Sequence, residues 1–166
     1  VLPINVYGLT KYAAELLASR VDATVLRINF VGRSTATNRQ SLSDWLIEKL
    51  RNNISVKVFK DIYFSPLHVS ELCNKIELTV VKRIPGVYNL GSNGGISKSD
   101  FAITLARQLG FDLKLMKIIK SRDAKLIAKR PFDMTMCSNK FENIFSCKLP
   151  NVKEQISLLA QDYQSF

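Results

Sequence analysis

The sequence predicts an α/β fold with parallel strands, on three observations. Segments whose apolar residues recur at helical spacing alternate along the chain with short runs rich in Val and Ile. The run at 23–28 lacks strict alternation of polar and apolar residues, which is typical of a parallel strand buried on both faces. A helical segment at 7–20 directly precedes it, and helix followed by strand is half of a strand–helix–strand unit.

The first predicted helix, over 7–20, has an apolar side made of Leu9, Ala13, Leu16 and Leu17. After the strand at 23–28 comes a loop at 29–34, at the strand's carboxyl end, where open α/β sheets place their ligands. The later chain predicts helices over 41–52, 70–82, 98–109, 121–128 and 152–163, a helical turn over 138–142, and extended segments over 56–59, 62–69, 86–91 and 114–119.

Serine side chains mark three of the predicted helix starts. Ser70 and Ser138 would each cap a helix, and Ser97 would form a capping box with Asp100. His68 is the only histidine, and it lies in an apolar stretch at a strand-to-helix junction. We therefore expect a structural role for it rather than acid–base catalysis.

Composition limits the functional classes. The chain has 166 residues, 46% hydrophobic and 23% charged, which is ordinary for one globular domain. No apolar run approaches the roughly 20 residues of a membrane span, and the start lacks a basic leader, so a cytoplasmic protein is expected. The three cysteines are widely spaced and do not cluster with the histidine, so we predict no metal site and a reducing compartment.

The net charge of +10 raises the question of nucleic-acid binding. The lysines and arginines are scattered, however, without a dense block or the interleaved aromatic residues of an RNA-binding motif. An anionic small molecule needs only a few such groups. We therefore expect a small anionic ligand rather than nucleic acid.

Tyr7 and Lys11 are the candidate catalytic residues. Four residues is just over one helical turn, so both side chains project from one face of the first helix. A phenol is a poor acid–base catalyst at neutral pH, and a nearby ammonium favours the phenolate. Lysine also has donors to spare for a partner such as a ribose hydroxyl. Taken alone, the spacing favours a structural interpretation, an amphipathic helix whose lysine extends to solvent.

The order of several motifs resembles the extended short-chain dehydrogenase/reductases, in the branch typified by dTDP-4-dehydrorhamnose reductase and related sugar-nucleotide-modifying proteins of polysaccharide biosynthesis. The matching pieces extend across nearly the whole chain: Tyr7-x-x-x-Lys11, Leu-Arg-Ile-Asn-Phe-Val-Gly-Arg at 26–33, Phe-Ser-Pro-Leu-His-Val-Ser-Glu-Leu at 64–72, Gly-Val-Tyr-Asn-Leu-Gly at 86–91, Ser-Lys-Ser-Asp-Phe-Ala at 97–102 and Lys-Arg-Pro-Phe-Asp-Met at 129–134. Each piece alone is weak, whereas their shared order is fairly specific.

The resemblance implies roles for the residues at these positions. Tyr7 would exchange a proton with a sugar carbonyl or hydroxyl while the nicotinamide of NAD or NADP gives or takes a hydride. Lys11 would hold the nicotinamide ribose and favour the phenolate of Tyr7. Asn29 and Phe30 would lie beside the nicotinamide, and Asn29 would also contact the sugar.

Arg33 and Arg130 are the remaining substrate-binding candidates, because the planar fork of an arginine suits a diphosphate. Arg130 is the stronger of the two, since it lies in the Arg-Pro element of what resembles the substrate-binding region. Each arginine also fits a solvated surface charge. The expected partner is a nucleotide-diphosphate sugar, and the resemblance also makes a homodimer a candidate assembly.

The sequence departs from the family pattern at its start. The Gly-x-x-Gly-x-x-Gly turn that holds the cofactor pyrophosphate does not occur in it, and only six residues precede Tyr7. We therefore expect the C-terminal part of a Rossmann-like NAD(P)-binding fold, without the N-terminal glycine-rich units. Residues 1–60 would end the nucleotide-binding sheet, and residues 61–166 would form mainly a small α/β substrate-binding region.

Two functional hypotheses follow. In the first, the chain is part of an NAD(P)-dependent oxidoreductase or epimerase acting on a nucleotide-diphosphate sugar, and it is inactive by itself. In the second, it belongs to a non-catalytic protein of the same fold that binds a nucleotide sugar or regulates a partner. Retention of both Tyr7 and Lys11 favours the first hypothesis, because a pure binding protein does not need the pair.

Overall fold

The computed structural model describes residues 3–36, 38–124 and 128–164. In these ranges the helices are α1 Val6–Ala18, α2 Leu42–Arg51, α3 Val69–Lys82, α4 Lys98–Gln108, α5 Asn139–Phe145 and α6 Val152–Gln164. The strands are β1 Thr24–Ile28, β2 Phe30–Val31, β3 Val56–Phe59, β4 Tyr63–Phe64, β5 Leu67–His68, β6 Gly86–Leu90, β7 Ile96–Ser97, β8 Met116–Ile119 and β9 Asp133–Met134. Short 3₁₀ turns occupy Leu113–Leu115 and Ser121–Asp123.

The strand pairs are mostly parallel, as predicted. Strand β1 pairs with β6, β2 with β5, and β3 with β8, all in parallel. Strand β4 lies between antiparallel β7 and parallel β9. Each of the first three strands thus pairs with a strand that comes after residue 60, so the two regions expected from the sequence share their sheets. The functional division at residue 60 stays a prediction.

Two apolar clusters hold these elements together. The larger one lies among α2, α4, α6 and β3, and its fully buried side chains include Leu50, Phe101, Leu105, Ile156 and Leu159. The smaller one joins β5, β6, α3 and α5, where the rings of Phe141 and Phe145 stack with their centroids 4.5 Å apart and Tyr88 meets Phe145 edge-on at 5.1 Å. Helices α4 and α6 were predicted with these inward faces.

Helix α1 differs from the prediction in its packing. The side chains of Leu9, Leu16 and Leu17, expected to face a core, are 57%, 51% and 66% exposed. The helix is joined to the rest by polar contacts instead, among them an ion pair between Glu15 and Arg27 at 2.5 Å. No other described element covers its apolar side, so the expected burial was wrong for this chain. Strand β1 is likewise half-buried rather than fully buried.

Two of the three predicted serine caps were wrong. Helix α3 begins one residue earlier, and His68 caps it by accepting from the Ser70 amide through Nδ1 at 3.4 Å. Ser138 precedes α5 without a capping bond, because its hydroxyl bonds the backbone of Gly91 instead. Ser97 does cap α4, since its Oγ accepts from the Asp100 amide at 3.0 Å.

The helix predicted over 121–128 is a 3₁₀ turn at Ser121–Asp123 followed by extended backbone at Ala124. The Asp61 carboxylate accepts from both the amide and the hydroxyl of Ser121, which holds this turn against the start of β4. Residues 125–127 lie outside the described ranges, and with them the rest of this prediction.

A carboxylate at the start of α2 ties this helix to the end of α6. Asp44 accepts from the amides of Ser34 and Ser41, each at 3.0 Å, and from the phenol of Tyr163. Burial raises the pKa of Tyr163 to about 12, together with the bond to Asp44. Burial also acts to raise the pKa of Asp44, but the donated hydrogen bonds outweigh it and hold that pKa below its usual value.

We expect Tyr163→Phe to lower the free energy of unfolding by about 1 kcal/mol at pH 7, because it removes a hydrogen bond to a carboxylate. The pKa of Tyr163 is raised in the folded chain, so its contribution is complete below pH 10 and is lost as the pH rises towards 12. In Tyr163→Phe, the free energy of unfolding should not show the decrease at alkaline pH that comes from ionisation of Tyr163. Urea unfolding between pH 7 and 11 measures both effects, with Tyr63→Phe, which alters a part-exposed phenol, as the control. Identical alkaline profiles for wild type and Tyr163→Phe would contradict this account.

Candidate functional site

Tyr7 and Lys11 lie on one face of α1, as the spacing predicted. The helix starts here because Asn5 caps it, with Oδ1 accepting from the Gly8 amide at 2.8 Å. The Lys11 Nζ atom lies 5.7 Å from the centroid of the Tyr7 ring, and Tyr7 is 72% exposed. A phenol that is accessible and accompanied by an ammonium can exchange a proton with a bound molecule.

The segment at 128–134, which carries Arg130, meets the start of this helix. The Asn5 Nδ2 atom donates to the carbonyl of Lys129 at 2.9 Å. Arg130 is the next residue along the chain, and Tyr7 follows Asn5 by two positions. The first turn of α1 therefore lies against the segment that carries the predicted diphosphate ligand.

Asn29 joins the end of β1 to the same segment. Its side-chain Nδ2 atom donates to the backbone carbonyl of Met134 at 2.8 Å. Its backbone carbonyl accepts from the Leu67 amide at 2.9 Å. A side-chain amide has two N–H donors and an acceptor oxygen, so this bond leaves capacity for a ligand. The neighbouring Phe30 is 59% exposed on β2.

Arg33 has different neighbours from Arg130. Its guanidinium carbon lies 5.9 Å from the centroid of the Tyr163 ring, and Nη1 lies 3.5 Å from the carbonyl of Asp162, both in α6. Arg130 is close enough to Lys98 for its charge to act on that ammonium. The segment of Arg130 is thus bonded by Asn29 and by Asn5, the cap of the helix that carries Tyr7 and Lys11, whereas Arg33 is directed towards α6.

Arg33 lines a hollow of about 200 Å³ that Phe30, Gly32 and Val69 also enclose. A side chain at Gly32 would place its Cβ 2.7 Å from Val69 Cγ1, so only glycine allows β2 and α3 to approach this closely. A shallower hollow of about 440 Å³ adjoins it, and Arg39 and Gln40 line both. Neither residue was singled out from the sequence, because the polar stretch around them carries no motif.

Lys98 is a further residue that the sequence did not identify as a candidate ligand. Its Nζ atom lies 3.2 Å from the centroid of the buried Phe64 ring. Burial, together with the charge of Arg130, lowers the pKa of Lys98 to about 8. In the sequence it lies in the matching piece at 97–102 and in the first turn of a helix, a position that is commonly exposed, so nothing marked it as a ligand.

His68 has the structural role expected of it. It is 5% exposed, with Nε2 2.9 Å from Asp162 Oδ2 and Nδ1 2.8 Å from Ser70 Oγ. Its backbone amide donates to Gln155 Oε1 at 2.7 Å. These bonds join β5 and α3 to α6 and leave the ring without access to a ligand.

Metal-ligating clusters and membrane-spanning helices are both absent from the residues that the structure describes. Within the described ranges there is no group of three or more His, Cys, Asp or Glu residues arranged to hold a metal ion. Cys73, Cys137 and Cys147 are free thiols. Of the helices in those ranges, none is both long enough and apolar enough to cross a bilayer.

The sequence matches the family described as the RmlD substrate binding domain over residues 1–165. The chain belongs to this family. No curated protein sequence matches it significantly.

Three solved structures of similar fold are sugar-nucleotide enzymes. dTDP-4-dehydrorhamnose reductase from Bacillus anthracis, in complex with NADP, superposes with a TM-score of 0.85 at 19% identity, over 95% of this chain and 56% of the reductase. An orthologous reductase from Clostridium acetobutylicum gives a TM-score of 0.86 at 20% identity, over 99% of this chain and 57% of that protein. UDP-glucuronic acid 4-epimerase from Bacillus cereus, in complex with UDP-glucuronic acid and NAD, gives 0.77 at 15% identity, over 99% and 54%.

These superpositions confirm the Rossmann-like α/β fold, and the family match confirms the resemblance to the dTDP-4-dehydrorhamnose reductase branch. The chain spans little more than half the length of these neighbours. Related proteins bind NADP or NAD, and one of them is in complex with a nucleotide sugar.

The residues present fit the nicotinamide end of such a cofactor. Tyr7 and Lys11 are both exposed, and an ammonium offers three donors suited to ribose hydroxyls. The Gly-x-x-Gly-x-x-Gly turn that would hold the pyrophosphate does not occur in the given sequence. Only the nicotinamide end of the cofactor, which a tyrosine and a lysine can contact, is therefore matched by residues identified in this chain.

We expect Asn5→Asp to loosen the segment at 128–134 while leaving α1 capped. Aspartate keeps the oxygen that accepts from Gly8 but removes the N–H that donates to Lys129. Hydrogen–deuterium exchange in peptides covering 128–134 should rise about fivefold, the effect of one lost hydrogen bond. Asn52→Asp is the matched control, because Asn52 also donates to a backbone carbonyl, at the end of α2. Equal exchange in both variants would show that the Asn5–Lys129 bond does not hold the segment.

Proposed function

We propose that this chain supplies the proton-transfer pair and the sugar-nucleotide ligands of a nicotinamide-dependent reductase or epimerase acting on a nucleotide-diphosphate sugar. The observation that carries the proposal is the exposed Tyr7–Lys11 pair, whose helix is bonded through Asn5 to the segment of Arg130. The bond from Asn5 to Lys129 supports a site in which a proton-transfer group and an anion ligand act on one molecule. The family match supports the same assignment.

Tyr7 is the proton donor to a sugar carbonyl oxygen, or the acceptor from a sugar hydroxyl in the reverse direction. Lys11 favours the phenolate that remains after donation, and its other N–H groups bind ribose hydroxyls. The nicotinamide, when bound, supplies hydride-transfer chemistry. Because Tyr7 is exposed on α1, the sugar and the cofactor can both approach it from the solvent side of the helix.

Arg130 binds the diphosphate of the sugar nucleotide, because a guanidinium can donate two parallel hydrogen bonds to phosphate oxygens. Asn29 contacts the sugar through its second side-chain N–H and its side-chain oxygen, because its bond to Met134 uses only one N–H. Phe30 offers an exposed ring beside it. Arg33 belongs to a second region of the same site, the hollow next to β2 and α3.

The 166-residue chain should show no turnover by itself, because its sequence lacks the glycine-rich turn that holds the cofactor pyrophosphate. Mixing it with NADPH and a dTDP-4-dehydro sugar should leave the absorbance at about 340 nm unchanged, as expected when hydride transfer does not occur. Fluorescence titration should detect weak binding of NADPH at most. Tight binding of NADPH or measurable turnover would contradict this part of the proposal.

In an active protein that contains these residues, Tyr7→Phe should lower kcat by about 10²–10⁴-fold, the usual contribution of a general acid. Binding of the nucleotide sugar, followed by calorimetry, should change little. Tyr12→Phe is the matched control, because it removes another phenol of the same helix, five residues away from Tyr7. Unchanged turnover in Tyr7→Phe would exclude the catalytic role of Tyr7. A complete protein that binds the nucleotide sugar but shows no turnover with either cofactor would favour the non-catalytic hypothesis.

A further inference from the structure

We propose that Lys98 is a second diphosphate ligand, which binds the anion together with Arg130. The inference rests on the proposed function, which assigns Arg130 to the diphosphate, and adds a residue to which the sequence motifs gave no ligand role. Lys98 and Arg130 belong to separate elements, α4 and the segment before β9.

The sheet formed by β4, β7 and β9 brings the two cations to one place. Lys98 follows β7 directly, and its amide donates to the carbonyl of Ile62 at 2.8 Å. On the other side of β4, the amide of Tyr63 donates to the carbonyl of Phe132 at 2.7 Å. Lys98 and the chain that leads from Arg130 to Phe132 therefore flank the start of β4 at the same end of the sheet.

The two cations have no counter-ion in the described ranges. Neither the ammonium of Lys98 nor the guanidinium of Arg130 makes an ion pair with a residue in those ranges. The Lys98 ammonium instead lies on the face of the buried Phe64 ring, 3.2 Å from its centroid. A half-buried ammonium beside a second cation is unfavourable by itself.

The carboxylates nearest in sequence are held by donors of their own. Asp100 accepts from the Ser97 hydroxyl at 2.7 Å, and Asp133 accepts from the amide and hydroxyl of Thr135 at 2.8 and 2.7 Å. Asp61 accepts from Ser121. A bound anion would therefore be the group that neutralises Lys98 and Arg130.

The reduced pKa of Lys98, about 8, agrees with this arrangement, because burial and the charge of Arg130 both disfavour the ammonium while no anion is bound. An anion between the two side chains reverses both effects. A diphosphate fits better than a carboxylate, because its two phosphate groups can contact a forked guanidinium and a compact ammonium at the same time.

The test is calorimetric titration of the 166-residue chain with sodium pyrophosphate at low, fixed ionic strength. Lys98→Met and Arg130→Met should each weaken binding about tenfold, as expected for a lost bond to a charged group. Lys98→Arg should retain most of the affinity. The matched control is Lys153→Met, which removes an exposed lysine from the first turn of α6 and should change the affinity by less than about twofold.

Lack of pyrophosphate binding to the wild-type chain, or equal weakening in Lys98→Met and Lys153→Met, would overturn the inference. If Lys98→Met does not fold, acetylation of the wild-type chain decides, since bound pyrophosphate should protect Lys98 and not Lys153. Equal acetylation of Lys98 with and without pyrophosphate would reject the site. Tyr7 takes no part in these measurements. If Tyr7→Phe lowered turnover of an active protein but Lys98→Met did not weaken pyrophosphate binding, this inference would be overturned and the proposed function would stand.

Discussion

The candidate site depends on how the segment at 128–134 satisfies its backbone hydrogen bonds. Apart from the two residues of β9, this segment has no regular structure of its own, so its carbonyls need donors from other elements. Asn5 supplies one from the start of α1, Tyr63 one from β4, and Asn29 one from the end of β1. Elements that are far apart in sequence are thereby joined at the residues to which proton transfer and anion binding are assigned.

Ionisable groups are paired with one another where α2 meets α6, but not around Lys98. In the core, the Asp44 carboxylate is surrounded by donors and Tyr163 keeps its proton, so each polar group is paired. Around Lys98, a cation rests on an aromatic ring near a second cation. Paired groups at the core favour the fold, whereas like charges held close together favour an external partner of opposite sign.

The fold was largely predictable from the sequence because its signals are local. The apolar stripes of α4 and α6, the Ser97 cap and the parallel character of β1 all depend on residues close together in the chain. The helix predicted to start at Ser121 and the cap at Ser138 failed because distant partners decided the outcome: Asp61 holds Ser121, and Gly91 holds Ser138. The cap at Ser70 failed for a local reason, because His68 caps α3 instead. The spacing of Tyr7 and Lys11 identified the proposed catalytic face. The exposure of α1 and the burial of Lys98 depend on which elements pack against them, and no local sequence pattern contains that information.

The side chain of Asn5 makes two bonds at once, one to the first turn of α1 and one to the carbonyl before Arg130. Fraying of the helix start and displacement of the segment are therefore linked events, and the free energy of that coupling acts equally in both directions. An anion that orders the segment would also order the turn that bears Tyr7. A single amide can in this way make the proposed anion binding and the proposed proton transfer thermodynamically dependent on each other.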